Sequence, residues 1–202
     1  MNAIRMYFED LAPRWDTLQP PDRHETLRRL LAEFHACLSP CDSILEVGTG
    51  TGALLPCLKE CAPAARLVSI DLAGEMLRRA QQREATSNLL QADVHHLPFA
   101  AAPMRWSGFD AVVCHNCFPH FADKRAALYA LASVLKPGGH ILIIHDASRE
   151  KINAIHSNAG EAIRHDLLPA GADTRRLLIE AGFVGVWIED AAHRYLAAGQ
   201  RG

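Results

Sequence analysis

Residues 44–52 read ILEVGTGTG, an apolar stretch interrupted by one acid and followed by three glycines at alternate positions. A buried strand that ends in a glycine turn and leads into a helix is the usual layout of a nucleotide site. Glycine is required there because it adopts backbone angles that other residues avoid, and because it lets a ligand approach the main chain. The stretch predicts a strand over Ser43–Val47, a binding turn after it, and a helix over about Gly52–Cys61.

The glycine spacing differs from the dinucleotide fingerprint G-x-G-x-x-G. Ala53 occupies the position that the third glycine of that fingerprint would need, because Gly52 comes one residue early. A second predicted strand, Arg66–Ile70, is followed by Asp71, and a carboxylate at that place suits the two hydroxyls of a ribose. The spacing, with Ala53 in place of the third fingerprint glycine, disfavours a nicotinamide-dependent oxidoreductase, which we keep as an alternative.

The combination resembles the class I S-adenosylmethionine (SAM) dependent methyltransferases. Residues 46–52 resemble the first motif of that family, and Asp71 resembles its ribose-binding acid. The resemblance covers nearly the whole chain and implies SAM as the cofactor and S-adenosylhomocysteine (SAH) as its product. The residues that it assigns to cofactor binding are Glu46, Gly48, Thr49, Gly50, Gly52, Asp71, Leu72, Met76, Asp93, Val94, His115 and Asn116.

Length and composition indicate one domain. The chain has 202 residues, of which 49% are hydrophobic and 22% charged, as in ordinary soluble globular proteins. A net charge of −2 gives no electrostatic case for nucleic acid or an anionic membrane. No apolar run approaches the roughly 20 residues of a membrane span, and the N-terminus lacks the apolar core of a signal peptide. We expect a cytoplasmic monomer or homodimer without a nucleic-acid or membrane partner.

Predicted strands and helices alternate from Ser43 onward, which indicates a parallel sheet with right-handed crossovers. The resemblance implies a Rossmann-like, mainly parallel seven-stranded sheet with an antiparallel C-terminal strand and helices on both faces. It also implies an N-terminal helical cap over residues 1–40 and a SAM-binding core over residues 41–202. The remaining predicted helices are Ile4–Leu11, Arg23–Leu38 with Asp22 as its cap, Ala73–Glu84, Asp123–Leu135, Ser148–Ile163 and Thr174–Ala181. The remaining strands are Asn88–Ala92, Phe109–Cys114, His140–His145, Val184–Ile188 and Tyr195–Ala198, with a loop at Pro98–Gly108.

Histidines follow the fourth and fifth predicted strands. The carboxyl ends of neighbouring parallel strands meet, so we expect His120, His145 and His156 to converge above the transferred methyl group. An imidazole titrates near neutral pH and suits removal of a proton from a hydroxyl, a thiol or an acidic carbon. A transition-metal site and purely structural histidines stay open as alternatives.

The acceptor is the least determined feature of the sequence. The place after the fourth strand holds His115-Asn116-Cys117-Phe118 rather than the Asp/Asn-Pro-Pro-aromatic motif of DNA amino-methyltransferases. Six cysteines fall in three close pairs, a spacing that fits either metal binding or small buried hydrophobes. We predict methyl transfer to a small-molecule acceptor, with Tyr7 and Trp15 of the cap as candidates to face the ligand. The alternative is a SAM-binding regulator or partner subunit without catalysis.

Overall fold

The computed structural model describes residues 3–85, 88–99 and 107–202. Within these ranges, seven strands form one sheet in the order β3-β2-β1-β4-β5-β7-β6. The pairing is parallel except that β7 lies antiparallel between β5 and β6. The strands are β1 (Ser43–Val47), β2 (Arg66–Asp71), β3 (Asn88–Gln91), β4 (Phe109–His115), β5 (Leu135–His145), β6 (Phe183–Asp190) and β7 (Tyr195–Arg201). The predicted Rossmann-like fold with an antiparallel C-terminal strand is confirmed.

Helices cover both faces of this sheet. They are α1 (Ala3–Leu11), α2 (Arg23–Ala32), α3 (His35–Leu38), α4 (Leu55–Cys61), α5 (Gly74–Arg83), α6 (Lys124–Val134), α7 (Arg149–Ser157) and α8 (Gly171–Glu180). Tighter 3-10 turns occupy Ala12–Leu18 and Phe118–His120. None of the described helices combines the length and apolarity that crossing a membrane requires.

Alternation along the strands gives the protein two buried layers. Leu45 of β1 lies in the cluster that contains Leu128 of α6, whereas its neighbour Ile44 lies in the cluster that contains Leu27 of α2. Successive side chains of a strand point to opposite faces, so a strand covered on both sides is apolar at every position. This arrangement leaves the carboxyl ends of the central strands as the edge at which polar side chains gather.

The predicted helix Arg23–Leu38 is wrong in two respects. The backbone N–H groups of Glu33 and Phe34 donate to carbonyls three residues earlier, and the helix is broken there into α2 and α3. The Asp22 side chain makes no capping hydrogen bond, although its carbonyl accepts from Thr26. The first turn of α2 is thus held by the main chain rather than by the predicted cap.

Several other boundaries differ from the prediction. The helix expected to reach Ile163 ends at Ser157, and the last helix begins at Gly171 rather than Thr174. Strand β5 begins at Leu135 rather than His140. Leu135 pairs with Phe109 of β4 and His140 with Ala111, so the residues between them form an irregularity within the strand. Residues 100–106 of the expected loop Pro98–Gly108 lie outside the described residues. The division of the chain at residue 40 stays a prediction.

Candidate functional site

The glycine turn after β1 is built from three residues with positive φ. Gly48, Gly50 and Gly52 have φ values of 71°, 55° and 79°, a region that L-residues with a side chain rarely occupy. At Gly48 there is also no room, since an added Cβ would lie 2.5 Å from the Cβ of Cys117. Because Gly52 cannot join a right-handed helix with this φ, α4 begins only at Leu55, three residues after the predicted start.

A cavity opens at the carboxyl ends of β1, β2 and β4, beside this turn. Most of the residues expected to bind the cofactor lie in its wall, together with one of the three candidate histidines. Those lining it are Gly48, Thr49, Gly50, Asp71, Leu72, Met76, Asp93, Val94, His115, Asn116 and His120. The predicted residues that do not line it are Glu46, Gly52, His145 and His156.

Asp71 lies between two backbone segments of the site. Its carboxylate accepts hydrogen bonds from the N–H of Gly50 at 2.8 Å and from the N–H of Ala73 at 2.9 Å. Burial raises the pKa of Asp71, and the backbone N–H donors partly oppose that rise. Each carboxylate oxygen can accept a further hydrogen bond. Asp71 thus fixes the glycine turn against β2 and retains acceptor capacity toward the cavity.

Glu46 is buried beneath the turn rather than in the cavity wall. One of its carboxylate oxygens accepts hydrogen bonds from the hydroxyls of Thr49 at 2.8 Å and Ser69 at 2.7 Å. Burial raises the pKa of Glu46 to about 7, although these two hydroxyls act in the opposite direction. The residue therefore holds the turn in place from below, and its role toward the cofactor stays a prediction.

Asp93 is engaged by the residues that follow it. Its Oδ1 accepts from the N–H of His95 at 2.9 Å, and the Nδ1 of the same histidine lies 2.6 Å away. Burial would raise the pKa of Asp93, but these contacts hold it below its ordinary value. Asp93 and His95 both line the cavity, and their contact fixes the orientation of the Asp93 carboxylate.

Two buried nitrogen atoms in the cavity wall have no hydrogen-bond partner among the described residues. They are Nε of Arg23, at the start of α2, and Nε2 of His115, at the end of β4. Burial lowers the pKa of both groups, and Asp146 acts on both through space, with its Oδ2 4.0 Å from His115 Nε2. Buried polar groups in folded proteins are normally paired, so two orphans in one cavity indicate a ligand with polar atoms.

Asn116 links the ends of β4 and β5. It is the single non-glycine residue with positive φ (52°) in the described ranges, and its side-chain amide donates to Asp146 at 2.8 Å. Backbone conformations of this kind persist where the surroundings over-determine them, as they do at ligand sites. The next residue, Cys117, donates its thiol to the carbonyl of Val47 at 3.1 Å and so supports the glycine turn.

Of the four strand-end histidines in the described ranges, His115 and His120 line the cavity, whereas His145 and His156 do not. His145 is 1% exposed, and its Nε2 has no hydrogen-bond partner among the described residues. Burial lowers the pKa of His145 and of His156, so both rings are neutral near neutral pH. The rings of His120 and His156 are 4.8 Å apart. These two rings are thus neighbours, and of the three candidate histidines His120 is the one that lines the described cavity. Convergence above the methyl group stays a prediction.

The N-terminal segment forms a roof over the cavity. Phe8 and Trp15 line it and meet edge to face with ring centroids 6.0 Å apart, whereas Tyr7 packs behind Phe8. Glu9 accepts from the N–H groups of Gly74 and Glu75 at 2.9 and 2.7 Å, at the start of α5. A carboxylate at a helix N-terminus is favourably placed toward the helix dipole. These two hydrogen bonds hold the N-terminal segment against α5.

A second set of contacts between the N-terminal segment and the core involves Asp16. Asp16 accepts from the hydroxyl of Thr51 at 2.6 Å and pairs with Arg83 at 2.7 Å. Thr51 belongs to the glycine turn, so the roof and the turn are connected directly. Of the two aromatic residues proposed to face the ligand, Trp15 is in the cavity wall and Tyr7 is not.

No cluster of histidine, cysteine and acidic side chains in the described ranges has an arrangement that could hold a metal ion. The six cysteines are free thiols. Cys57 and Cys61 face α2 and α3 from α4, and burial raises the pKa of both thiols. They behave as small buried side chains of the layer between these helices.

Comparison with known proteins places the chain in a family. A family model described as a methyltransferase domain matches residues 45–143. A ubiquinone biosynthesis O-methyltransferase of Xanthomonas axonopodis is 31% identical over 189 residues, which cover 91% of this chain and 77% of the relative. The chain belongs to the class I SAM-dependent methyltransferases. The family predicted from the glycine motif and Asp71 is thereby confirmed, and the roles of the individual residues stay predictions.

Other methyltransferases match with different coverage. A demethylmenaquinone methyltransferase of Thermus thermophilus is 36% identical over 144 residues, and the match spans 63% of its length, less than two thirds. A SAM-dependent methyltransferase of Thermotoga maritima has the same fold, with a TM-score of 0.73, 16% identity and full coverage of both chains. The class I methyltransferase architecture thus extends over the whole chain.

Sequence reasoning missed several residues of the site. Asp146 lies at a predicted strand end beside His145, but the sequence carries no signal for its contacts with Asn116 and His115. Arg23 and Phe8 reach the cavity from the roof, and no local pattern marks which face of a helix will cover a ligand. Asp166 lies in an irregular segment after α7, where the sequence carries no signal for its contact with His120.

Proposed function

We propose that the protein binds SAM in this cavity and transfers its methyl group to a small-molecule acceptor. The observation that carries the proposal is the pair of orphaned nitrogen atoms of Arg23 and His115, in a cavity that Asp71 and the glycine turn also line. SAM has a ribose, an adenine and a zwitterionic amino-acid end, and this wall offers a group suited to each. When bound, SAM supplies a methyl group activated on a sulfonium.

The residues of the wall divide between the parts of SAM. Asp71 would accept from the ribose hydroxyls, as the family resemblance implies, and Asp93 would lie beside the adenine amino group. Leu72, Met76 and Val94 would pack against the adenine ring, which has two apolar faces. The Arg23 guanidinium would pair with the carboxylate of the methionine part, because a charge-assisted hydrogen bond would satisfy its orphaned Nε. Gly48 and Gly50 would let that part approach the main chain.

The acceptor would enter under the aromatic roof. Phe8, Trp15 and Phe121 line the cavity, so the roof favours a flat apolar ring. The named relatives act in quinone biosynthesis, which agrees with a ring that carries hydroxyl groups. We propose a hydroquinone-like or phenolic acceptor. Alignment with the methyl group and exclusion of water by the roof would supply much of the rate enhancement.

The expected location and assembly come from the sequence alone. A near-neutral charge balance supports a protein without a nucleic-acid partner. A cytoplasmic monomer or homodimer is our proposal. A regulator that binds SAM without catalysis is the second candidate, and formation of SAH from SAM with a phenolic acceptor distinguishes the two.

The role of Arg23 leads to a first prediction. Replacing Arg23 by leucine is expected to weaken SAH binding by about tenfold to a hundredfold, because a buried charge-assisted contact to the carboxylate is lost. Isothermal titration calorimetry measures this affinity. The same substitution should leave the affinity for 5′-methylthioadenosine nearly unchanged, because that ligand keeps the nucleoside but lacks the carboxylate.

Arg28→Leu is the matched control for this prediction. Arg28 lies on the same helix, is exposed and pairs with Glu25, so its loss should change neither affinity. If Arg23→Leu weakens both ligands equally, the guanidinium serves the fold or the nucleoside rather than the carboxylate. Unchanged SAH affinity in a folded Arg23→Leu protein contradicts the placement of the methionine part.

A further inference from the structure

His120 and Asp166 form a hydrogen-bonded pair at the cavity wall. The Nδ1 of His120 lies 2.8 Å from Oδ2 of Asp166, and the two side chains are 13% and 18% exposed. Because His120 lines the cavity, the pair stands beside the space proposed for the acceptor. We propose that Asp166 positions His120 as the base that removes the proton from the hydroxyl of the acceptor. This inference rests on the proposed function, since it requires an acceptor beside bound SAM.

The hydrogen bond determines which ring nitrogen of His120 is free. An ionised carboxylate only accepts hydrogen bonds, so the proton of the neutral ring must lie on Nδ1. The lone pair is then on Nε2, the ring nitrogen that does not contact Asp166. A carboxylate that fixes the tautomer in this way also stabilises the imidazolium formed when Nε2 takes up a proton.

The turn that carries His120 is held firmly. Lys124 donates to the carbonyls of Pro119 at 2.9 Å and Phe121 at 3.2 Å, on either side of His120. The imidazole contacts the ring of Phe8, at a centroid distance of 4.9 Å, and the ring of His156, at 4.8 Å. These contacts restrict both the backbone and the ring, which is what a base in a productive geometry requires.

The backbone around Asp166 is held by side chains of α7. Its carbonyl accepts from Nδ1 of His156 at 2.5 Å, so the proton of that neutral ring is on Nδ1. Two residues later, Leu168 exchanges hydrogen bonds with the Asn153 side chain at 2.8 and 3.1 Å. Residues of α7 thus hold the irregular segment that presents Asp166, and His156 supports the pair without lining the cavity.

The charge around the pair is consistent with this role. Lys124 acts on Asp166 through space, and burial lowers the pKa of this lysine. His145 and His156 are neutral, for the reasons given above, so they add no positive charge that would oppose protonation of His120. His115 is likewise held neutral by burial. Of the histidines that follow β4 and β5 in the described structure, only His120 combines a hydrogen-bonded carboxylate with a place in the cavity wall. His95 has a similar arrangement with Asp93, but at the wall proposed for the adenine.

The proposed step balances as a single displacement. The acceptor O–H bond breaks and its proton moves to Nε2 of His120. An oxygen lone pair forms the bond to the methyl carbon, while the electron pair of the carbon–sulfur bond remains on sulfur. The products are a methyl ether and SAH, and the imidazolium returns its proton to solvent. No other reactant is needed.

The test uses 4-nitrocatechol, a phenol whose visible absorbance reports its ionisation. It is added to the protein saturated with SAH, at a pH where the free probe is largely protonated. The wild-type complex is expected to shift the bound probe toward its ionised form. His120→Asn and Asp166→Ala should leave the bound probe protonated, because the base or its positioning carboxylate has been removed.

A second readout examines Asp166 without any acceptor. In ¹⁵N-histidine-labelled protein saturated with SAH, His120 is expected to be the Nδ1–H tautomer. Asp166→Ala should let the ring populate the Nε2–H tautomer as well. Asp173→Ala is the matched control, since this exposed carboxylate of α8 pairs with Arg176, and its loss should change neither readout.

The outcomes separate this inference from the proposed function. Calorimetry with SAH comes first, and failure of the wild-type protein to bind it contradicts the proposed function itself. If SAH binds but the wild-type complex does not ionise the probe, the assignment of His120 as a base is overturned. Equal ionisation in Asp166→Ala, or an unchanged tautomer, overturns the positioning role of Asp166.

Discussion

Replacing Gly48 by alanine is expected to lower the free energy of unfolding by about 2–5 kcal/mol and to abolish SAM binding. The positive φ of 71° accounts for part of this loss, because an L-residue with a Cβ is strained there by about 1–2 kcal/mol. The rest comes from overpacking, which typically costs about 1–3 kcal/mol, since the new Cβ would lie 2.5 Å from the Cβ of Cys117. Chemical denaturation measures the stability, and calorimetry the binding.

Gly185 provides the matched control for this substitution. It also has a positive φ, 58°, but nothing lies within 4 Å of an added Cβ. Gly185→Ala should therefore show the conformational cost alone and leave SAM binding intact. The double variant Gly48→Ala/Cys117→Gly removes the clashing atom and should recover part of the lost stability. Equal costs at the two glycines would show that packing against Cys117 has no role.

Replacing Glu46 by glutamine is expected to change how stability depends on pH. Burial raises the pKa of Glu46 to about 7, above the value of a free glutamate. A carboxyl group whose pKa is raised in the folded state contributes stability below its unfolded pKa and loses it as the pH rises through the folded pKa. Glutamine mimics the protonated form at every pH. Its stability relative to wild type should therefore rise by about 2–3 kcal/mol between pH 4.5 and pH 8.

The difference between the two proteins isolates Glu46. Buried histidines also make stability depend on pH, but they do so equally in wild type and variant. Glu161→Gln is the control, because its side chain is 86% exposed and its loss should leave the pH profile parallel to wild type. Urea denaturation at several pH values gives the curves. A constant difference between Glu46→Gln and wild type would mean that Glu46 ionises like an exposed acid.

The strand ends were the part of the site that the sequence could predict. Gly48, Asp71 and Asn116 each follow a short apolar run, and parallel strands bring such positions to one edge. The antiparallel β7 was anticipated from the resemblance and from the turn between the last two apolar segments. Periodicity alone would not have placed β7 between β5 and β6, since strand order is a property of the whole chain.

The residues that sequence reasoning missed depend on tertiary contacts. Arg23 is one helical residue among many until the roof folds over the cavity and leaves its Nε buried. Asp166 meets His120 from 46 residues away along the chain, through a segment with no regular structure. Glu46 shows the opposite case, because a motif position read as a ligand contact lies beneath the turn.

Calorimetric titration of the purified protein with SAM, SAH and NAD tests the central claim most directly. We predict micromolar binding of SAM and SAH at one site per chain, no binding of NAD, and loss of about 1–3 kcal/mol of SAM affinity in Asp71→Ala. Binding of NAD in place of SAM and SAH would contradict the account, as would SAM affinity that is unchanged when Asp71 is removed from a folded protein.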